Sequence, residues 1–270
     1  MFVPAKKVKS YARLAIMGPA GSGKTYTALA IMSHMAEKIA VIDTEHGSSA
    51  KYANIFNFDM AELKEFDPRN YIDAIKAAQE AGYDGLIIDS LSHAWMGKGG
   101  ALEMVENIGQ QMKGGSFAAW SKVTPIQNEL MDTILAAPMH VVATLRSKME
   151  YTMDDSNGRK EVVKLGMKPV QRDGVEYEFD VVLDMDFTNT ATVTKSRCPA
   201  LTGRKFVRPG EEIAVVLKEW LDGEDPEKVK LMGLLLTLAK EKGIPIEQAW
   251  LEKASKEEII ARGKELRAMK

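Results

Sequence analysis

The sequence predicts an α/β fold in which helices flank a mostly parallel, twisted sheet. From Arg13 onward, short apolar runs alternate with longer stretches of helical periodicity. Each interval between the apolar runs is long enough for the right-handed crossover that parallel strands require. The chain has 270 residues, of which 45% are hydrophobic, so it can bury a core without disulfides or metal.

Four apolar runs predict the parallel strands. They cover residues 14–17, 39–42, 86–88 and 139–145. Between these runs, helical spacing of apolar residues and helix-starting residues predict helices. The predicted helices cover residues 25–38, 71–81 behind Asp67-Pro68, and 124–136 with Pro125 near the first turn.

The pattern changes after about residue 176. Residues 180–187 and 191–195 are rich in strand-forming side chains, and the turn residues Thr188, Asn189 and Thr190 separate them. This arrangement is typical of an antiparallel hairpin, which we expect at the end of the sheet.

A second change of pattern predicts a domain boundary. A helix predicted over residues 211–221 is followed by the turn-forming sequence Asp-Gly-Glu-Asp-Pro. We expect a core domain over residues 1–222 and a C-terminal helical region over 223–270. Ten basic and eight acidic residues from Asp225 onward make this region either a charged helical cap or a partner-binding module.

Composition excludes several classes of protein. The net charge of −2 lacks the basic excess of a protein that coats nucleic acid by charge alone, so any nucleic-acid site is a local patch. No apolar stretch approaches the roughly 20 residues of a membrane helix. The single cysteine, Cys198, excludes an internal disulfide framework and fits a reducing cytoplasm.

A phosphate-binding loop is predicted at residues 18–25, which match the pattern G-x-x-x-x-G-K-[ST] between a predicted strand and a predicted helix. Backbone N–H groups of such a loop surround a phosphate, Lys24 reaches the terminal phosphates, and the Thr25 hydroxyl ligates Mg²⁺. ATP and Mg²⁺ are therefore the expected ligands. The predicted nucleotide-binding residues are Gly18, Pro19, Ala20, Gly21, Ser22, Gly23, Lys24, Thr25 and Tyr26.

Acidic residues follow two of the predicted strands, at the edge where open parallel sheets bind ligands. Asp89 ends the apolar run 86–88, and we expect it to hold Mg²⁺ through water. Asp43 and Glu45 follow the second strand. Glu45 is either the group that orients the attacking water or a surface loop residue.

Residues 41–47, which end in Asp-Thr-Glu-His-Gly, resemble a segment of RecA-type recombinases whose glutamate positions the hydrolytic water. The segments 145–151 and 166–180 look like phage-encoded RecA-like ATPases of the single-strand annealing type. The resemblance covers about residues 10–220. It implies a RecA-like P-loop NTPase core and an Mg²⁺-dependent ATPase that binds single-stranded DNA and promotes annealing or recombination. It also implies that the nucleotide lies between subunits of a ring or filament.

The resemblance implies roles for three further basic residues. Arg146 lies where RecA-like cores carry a polar sensor of the γ-phosphate, although Leu-Arg-Ser replaces the Asn-Gln pair of RecA; a surface salt bridge is the alternative. Lys195 and Arg197 resemble the basic pair that RecA subunits insert into a neighbour's nucleotide site, and they show no evident role in their own subunit. The alternative for this pair is a solvated strand end. Together with Lys24 and Glu45, these are the predicted catalytic residues.

Two DNA-binding loops are implied, the first at residues 95–100 and 113–116 and the second at residues 148–168. The second combines basic groups, which neutralise phosphates, with an aromatic ring that can stack on a base. A mobile, solvated hairpin around residues 154–158 is the alternative. The predicted DNA-binding residues are Lys148, Tyr151, Arg159, Lys160, Lys164 and Lys168.

Two other functions are compatible with a phosphate loop. One is a P-loop motor or regulatory ATPase that acts on a protein partner, such as a helicase loader or packaging component. The other is a scaffold that assembles on binding ATP and hardly turns it over. The expected partners are single-stranded DNA, further copies of the chain and, for the C-terminal region, a single-strand-binding protein. The expected location is the cytoplasm, that of the host cell for a phage-encoded protein, with no membrane partner.

Overall fold

The computed structural model describes residues 7–154, 161–223 and 226–268. Within these ranges the strands are β1 (Arg13–Gly18), β2 (Ile39–Asp43), β3 (Asp59–Glu62), β4 (Gly85–Asp89), β5 (His140–Asp154), β6 (Glu161–Pro169), β7 (Val181–Met185), β8 (Thr190–Ser196) and β9 (Lys205–Val207). The helices are α1 (Lys24–Met32), α2 (Pro68–Glu80), α3 (His93–Met96), α4 (Ala101–Gly109), α5 (Gly115–Ala136), α6 (Glu211–Leu221), α7 (Pro226–Glu241), α8 (Gln248–Lys253) and α9 (Lys256–Ala268).

The strands pair in the order β3-β2-β4-β5-β1-β7-β8-β9, and β6 pairs with β5 beside this path. Every pair from β3 to β7 in that order is parallel. The pairs β7/β8, β8/β9 and β5/β6 are antiparallel. The predicted α/β fold, with a mostly parallel sheet and an antiparallel hairpin at its end, is therefore confirmed.

Helices pack on both faces of the sheet, because successive side chains of a strand point to opposite faces. Ala15 and Met17 of β1 belong to a core cluster that includes Tyr71 and Ile75 of α2 and Leu130 of α5. The helix α1 contacts β1, β4 and β5, but none of its residues belongs to that cluster. It therefore covers the opposite face.

The helix α1 ends at Met32, so its predicted extension to residue 38 is wrong. The Asp84 carboxylate accepts hydrogen bonds from the backbone N–H groups of Glu37 at 2.9 Å and Lys38 at 2.7 Å. These bonds hold the segment before β2 outside the helix. The local sequence does not reveal them, because Asp84 is more than forty residues away along the chain.

The helix α5 begins at Gly115, nine residues before the predicted start at residue 124. Ala119 and Val123 in its added turns are buried in a cluster with α4 residues. Pro125 consequently lies inside the helix instead of in its first turn. None of the helices in the described ranges is long and apolar enough to span a membrane.

The strand β5 continues past the predicted end at residue 145, because β6 pairs with its second half. The interval 148–168, expected to be a loop, is therefore a β-hairpin over the parts that the structure describes. The sequence analysis also missed β3, α3, α4 and β9. All four residues of β3 are exposed and its two end residues are acidic, so the strand lacks the continuous apolar run that identified the others.

The chain divides into two compact units. One contains residues 11–220, and the other contains the described residues before Tyr11 together with those from Leu221 onward. The second unit has its own apolar core, in which residues such as Leu235, Leu251 and Leu266 are buried. Residues 7–10 thus group with the C-terminal helices, whereas the sequence placed them in the core domain.

Candidate active site

The carboxyl ends of the parallel strands bring polar residues together at one edge of the sheet. Gly18 of β1 lies opposite Arg146 of β5, and Asp43 of β2 lies opposite Asp89 of β4. Residues that are distant in sequence therefore meet where open parallel sheets bind their ligands.

The phosphate loop runs from the end of β1 into α1. Gly21 and Gly23 have positive φ angles of 79° and 85°, a conformation that residues with a Cβ rarely adopt. Lys24 Nζ donates hydrogen bonds to the carbonyl oxygens of Gly18 at 2.9 Å and Pro19 at 2.8 Å. The loop thus curves around the Lys24 ammonium group, and burial lowers the pKa of that group.

Asp89 is buried between two threonine hydroxyls. Thr25 Oγ1 donates to Asp89 Oδ2 at 2.6 Å, and Thr144 Oγ1 donates to Asp89 Oδ1 at 2.5 Å. Burial raises the pKa of Asp89, while the two hydroxyl donors act in the opposite direction. Thr25 and Asp89, the two residues predicted to bind Mg²⁺, are therefore in direct contact. The sequence analysis missed Thr144, although a polar residue inside the apolar run 139–145 was a signal.

Asp43 organises the loop that carries Glu45. Its Oδ1 accepts hydrogen bonds from the backbone N–H groups of Glu45 at 2.9 Å and Gly47 at 3.0 Å. Its Oδ2 accepts from the Ser49 N–H at 3.0 Å and from the Ser49 hydroxyl. The fully buried Asp43 carboxylate therefore has a structural role, which is to hold Glu45 at the sheet edge.

Arg146 forms a bidentate ion pair with Glu45. Its Nε donates to Glu45 Oε1 at 3.0 Å, and its Nη2 donates to Oε1 at 2.9 Å and to Oε2 at 2.7 Å. Burial raises the pKa of Glu45, but the hydrogen bonds and charge of Arg146 outweigh it, so the pKa lies below its ordinary value. Arg146 thus forms a salt bridge, and its partner is the predicted catalytic glutamate.

A second group of contacts, which the sequence analysis missed, fixes the backbone beside Glu45. Thr44 Oγ1 accepts a hydrogen bond from the Ser90 N–H at 2.7 Å and lies 2.7 Å from His93 Nδ1. The His93 ring stacks on Phe66 with 4.8 Å between the ring centroids. Burial and the charge of Arg146 both lower the pKa of His93, which favours its neutral form.

The residues at this edge fit a nucleotide and Mg²⁺. The buried Ser22 hydroxyl in the phosphate loop has no hydrogen-bond partner among the described residues. No cluster of three or more His, Cys, Asp or Glu side chains within the described ranges could hold a metal by itself. The Thr25 hydroxyl and the Asp89 carboxylate beside it are the residues that would hold Mg²⁺, together with phosphate oxygens and water.

Tyr26 begins an aromatic cluster at the start of α1. The side chain is 42% exposed, and its ring makes edge contacts with Tyr52 and Phe56, with centroids 5.6 and 5.3 Å apart. Its contact with the nucleotide stays a prediction.

Lys195 and Arg197 are bound to the segment 177–180 of their own subunit. Lys195 Nζ donates to the carbonyl oxygens of Tyr177, at 3.1 Å, and Phe179. Arg197 Nη1 donates to Asp180 Oδ1 at 3.1 Å, and Arg197 Nη2 donates to the Tyr177 oxygen at 3.2 Å. The expectation that this pair has no role in its own subunit is therefore wrong, because it anchors the segment before β7.

The predicted DNA-binding residues belong to the β5–β6 hairpin. Lys148 lies opposite Lys168, and Tyr151 lies opposite Lys164 in the strand register. Arg159 and Lys160 lie outside the described residues.

In the first implied DNA loop, Trp95 stacks on Trp120 with ring centroids 5.6 Å apart. Both rings pack against a buried apolar cluster formed by α4 and α5. This stacking gives Trp95 a packing role in the fold.

The parallel sheet, the phosphate loop and the polar groups at its edge define a P-loop nucleoside triphosphatase. The chain belongs to a family described as an AAA domain, whose model matches residues 10–207. It is therefore an ATPase, as the sequence predicted. A comparison with curated proteins gave no match.

The first prediction separates the two carboxylates. Glu45→Gln should retain MgATP binding and lower turnover at least about 100-fold, because the amide cannot accept a proton from water. Asp89→Ala should weaken Mg²⁺-dependent ATP binding, because Thr25 loses the carboxylate beside it. Calorimetry with and without Mg²⁺, together with phosphate release, measures both effects.

Glu80→Gln, a change at an exposed acid on α2, is the matched control and should leave binding and turnover unchanged. Turnover at the wild-type rate in Glu45→Gln would assign the base to another residue.

The second prediction concerns Arg146. On the prediction that Glu45 acts as a carboxylate, activity should fall as the pH drops through its pKa, which Arg146 keeps low. Arg146→Gln should raise that pKa and move the acid limb of the kcat profile to higher pH, by an amount that solvent screening reduces because the pair is partly exposed. Arg146→Lys, which keeps the positive charge, should shift the acid limb less. An acid limb at the wild-type position in Arg146→Gln would contradict the assignment.

Proposed function

We propose that this chain is an Mg²⁺-dependent ATPase that binds single-stranded DNA and promotes strand annealing or recombination, in the manner of phage-encoded RecA-like annealing proteins. One observation supports a connection between ATP hydrolysis and DNA binding. β5 supplies Thr144 and Arg146 to the ATPase site and continues without interruption into the hairpin with β6. A single strand therefore joins the candidate catalytic groups to the candidate DNA-binding segment.

In the ATPase reaction, the backbone N–H groups of the phosphate loop and the Lys24 ammonium group bind the phosphates. Thr25 and Asp89 would hold Mg²⁺, which would neutralise charge on the phosphates. The Glu45 carboxylate orients the attacking water and accepts its proton. Arg146 positions Glu45 and keeps it ionised.

The hairpin provides the chemistry that single-stranded DNA requires. The Lys148 side chain is exposed, and its cross-strand partner Lys168 is 30% exposed and pairs with Asp173 at 3.0 Å. Basic groups neutralise phosphates, and an aromatic ring such as that of Tyr151 stacks on any base. We propose that the basic residues of this hairpin provide the local positive charge that the net charge of the whole chain lacks.

We further propose that subunits assemble around the nucleotide. Arg197 is 56% exposed while bound to Asp180, so its guanidinium group is accessible to a neighbouring subunit. A charge supplied by a neighbour would make hydrolysis depend on assembly.

The C-terminal unit is the proposed contact for a single-strand-binding protein. Its large apolar side chains Leu234, Leu236 and Ile260 are exposed, which supports a partner-binding role.

The DNA hairpin generates a third prediction. Replacing Arg159, Lys160 and Lys164 by Ala should weaken single-stranded DNA binding and lower its salt slope by at most about 2 units, since each lost contact removes roughly 0.7. Tyr151→Ala should cost about 1–3 kcal/mol with little change of slope, because stacking releases few counterions. Both variants should lose DNA stimulation of phosphate release while keeping ATP affinity.

The matched control replaces three exposed lysines of the larger unit, Lys64, Lys76 and Lys205, and should keep DNA binding. If wild-type ATP turnover does not respond to single-stranded DNA, the proposal fails. A stable protein partner would then favour a regulatory ATPase, and ATP-dependent assembly with negligible turnover would favour a scaffold.

The fourth prediction tests the contribution of a neighbouring subunit. Replacing Lys195 and Arg197 together by Ala should lower turnover while sparing ATP binding. Adding Glu45→Gln subunits, which keep the basic pair, should restore part of the activity in mixed assemblies.

Because the pair also anchors the segment 177–180, the melting temperature of the double variant is measured in parallel. A structural role alone gives a destabilised variant that the mixing does not rescue, and this result would refute the in-trans assignment.

A further inference from the structure

The phosphate loop packs against the β7–β8 hairpin at two glycines. A Cβ placed on Gly18 would lie 2.6 Å from the Met185 carbonyl oxygen, which is too close for any side chain. A Cβ placed on Gly23 would lie 2.9 Å from Asn189 Nδ2. The Asn189 carboxamide therefore lies against the last glycine before Lys24.

Hydrogen bonds fix the turn that carries Asn189. Asp186 Oδ1 accepts from the Thr188 N–H at 2.8 Å, the Thr188 hydroxyl at 2.7 Å and the Thr190 N–H at 3.0 Å. The Asn189 carbonyl oxygen accepts from the Arg208 N–H at 2.9 Å. The position of Asn189 is therefore determined by contacts to its backbone and to its neighbours.

The Asn189 carboxamide itself has no hydrogen-bond partner in the part of the chain that the structure describes. The residue is half-buried and has a φ of 59°, a left-handed conformation that glycine adopts at lower cost. Arg208, which binds its carbonyl oxygen, also has a positive φ, of 51°.

The sheet order indicates which end of the nucleotide lies near this turn. Glu45, Asp89 and Arg146 belong to β2, β4 and β5 or to the loops after them, all on one side of β1. The turn between β7 and β8 lies on the other side of β1. Because the γ-phosphate must reach the catalytic carboxylates, the nucleoside end extends towards Asn189.

We propose that Asn189 is a specificity residue that binds the base of the nucleotide and selects adenine. A carboxamide carries a donor beside an acceptor, which matches the adjacent donor and acceptor on the edge of adenine, whereas guanine presents two acceptors on the same edge. This inference rests on the ATPase assignment and adds the base preference to it.

The test uses Asn189→Gly, because glycine keeps the left-handed turn and removes only the carboxamide. Calorimetry in the presence of Mg²⁺ compares ATP, GTP, 2′-deoxy-ATP and inorganic tripolyphosphate. Wild type should prefer ATP to GTP, and the variant should bind ATP about 10-fold more weakly, as expected for one lost base contact. Its affinities for GTP and tripolyphosphate should stay within about twofold of wild type.

Thr188→Ala is the matched control, because it removes the two side-chain hydrogen bonds of Thr188, to Asp186 and Thr190, without touching the carboxamide. It should keep the ATP-to-GTP preference of wild type. A melting temperature is measured for each variant, so that an unfolded variant is recognised.

Several results would overturn the proposal. They are an unchanged ATP-to-GTP preference in Asn189→Gly, an equal loss for tripolyphosphate, which indicates a phosphate contact, and a loss that disappears with 2′-deoxy-ATP, which indicates a ribose contact. Failure of the ATPase assignment is a different result: wild type would bind none of the nucleotides, or Lys24→Ala would bind them normally.

Discussion

The buried carboxylate of Asp89 joins the three segments on which the active site depends. One oxygen accepts a hydrogen bond from Thr25 at the start of α1, and the other accepts from Thr144 of β5. Hydrogen bonds to a charged group contribute about 1.5–3 kcal/mol each, and a buried carboxylate without them would be costly. These two hydrogen bonds therefore fix the phosphate loop against the strands that carry the candidate catalytic groups.

From this centre the site extends in two directions along the sheet edge. On the side of β2 and β5, Asp43 holds the loop that carries Glu45, and Arg146 holds the Glu45 carboxylate. On the side of β7 and β8, the hairpin packs against the glycines of the phosphate loop. Under these proposals, the nucleotide would lie between the Glu45–Arg146 pair and the turn that carries Asn189.

The sequence predicted the residues of the phosphate loop better than it predicted the contacts around them. The residues from Gly18 to Thr25 can be recognised as a phosphate loop from the sequence alone. Such a loop requires only glycines that can adopt the necessary φ angles and one lysine, all within a short segment. Thr144 and His93 could not be found in that way, because each acts through a partner more than forty residues away. The same reason explains the errors at the end of α1 and the start of α5, where Asp84 and contacts with α4 set the boundaries.

The sequence by itself determined the α/β class, the antiparallel end of the sheet and the ATPase loop, since hydrophobic periodicity and turn residues act over short distances. Only the tertiary structure decided that residues 148–154 and 161–168 pair as antiparallel strands and that Arg146 pairs with Glu45. It also decided that Asn189 lies against Gly23. These features depend on strand register, which brings distant residues to one edge of the sheet and leaves no local pattern in the sequence.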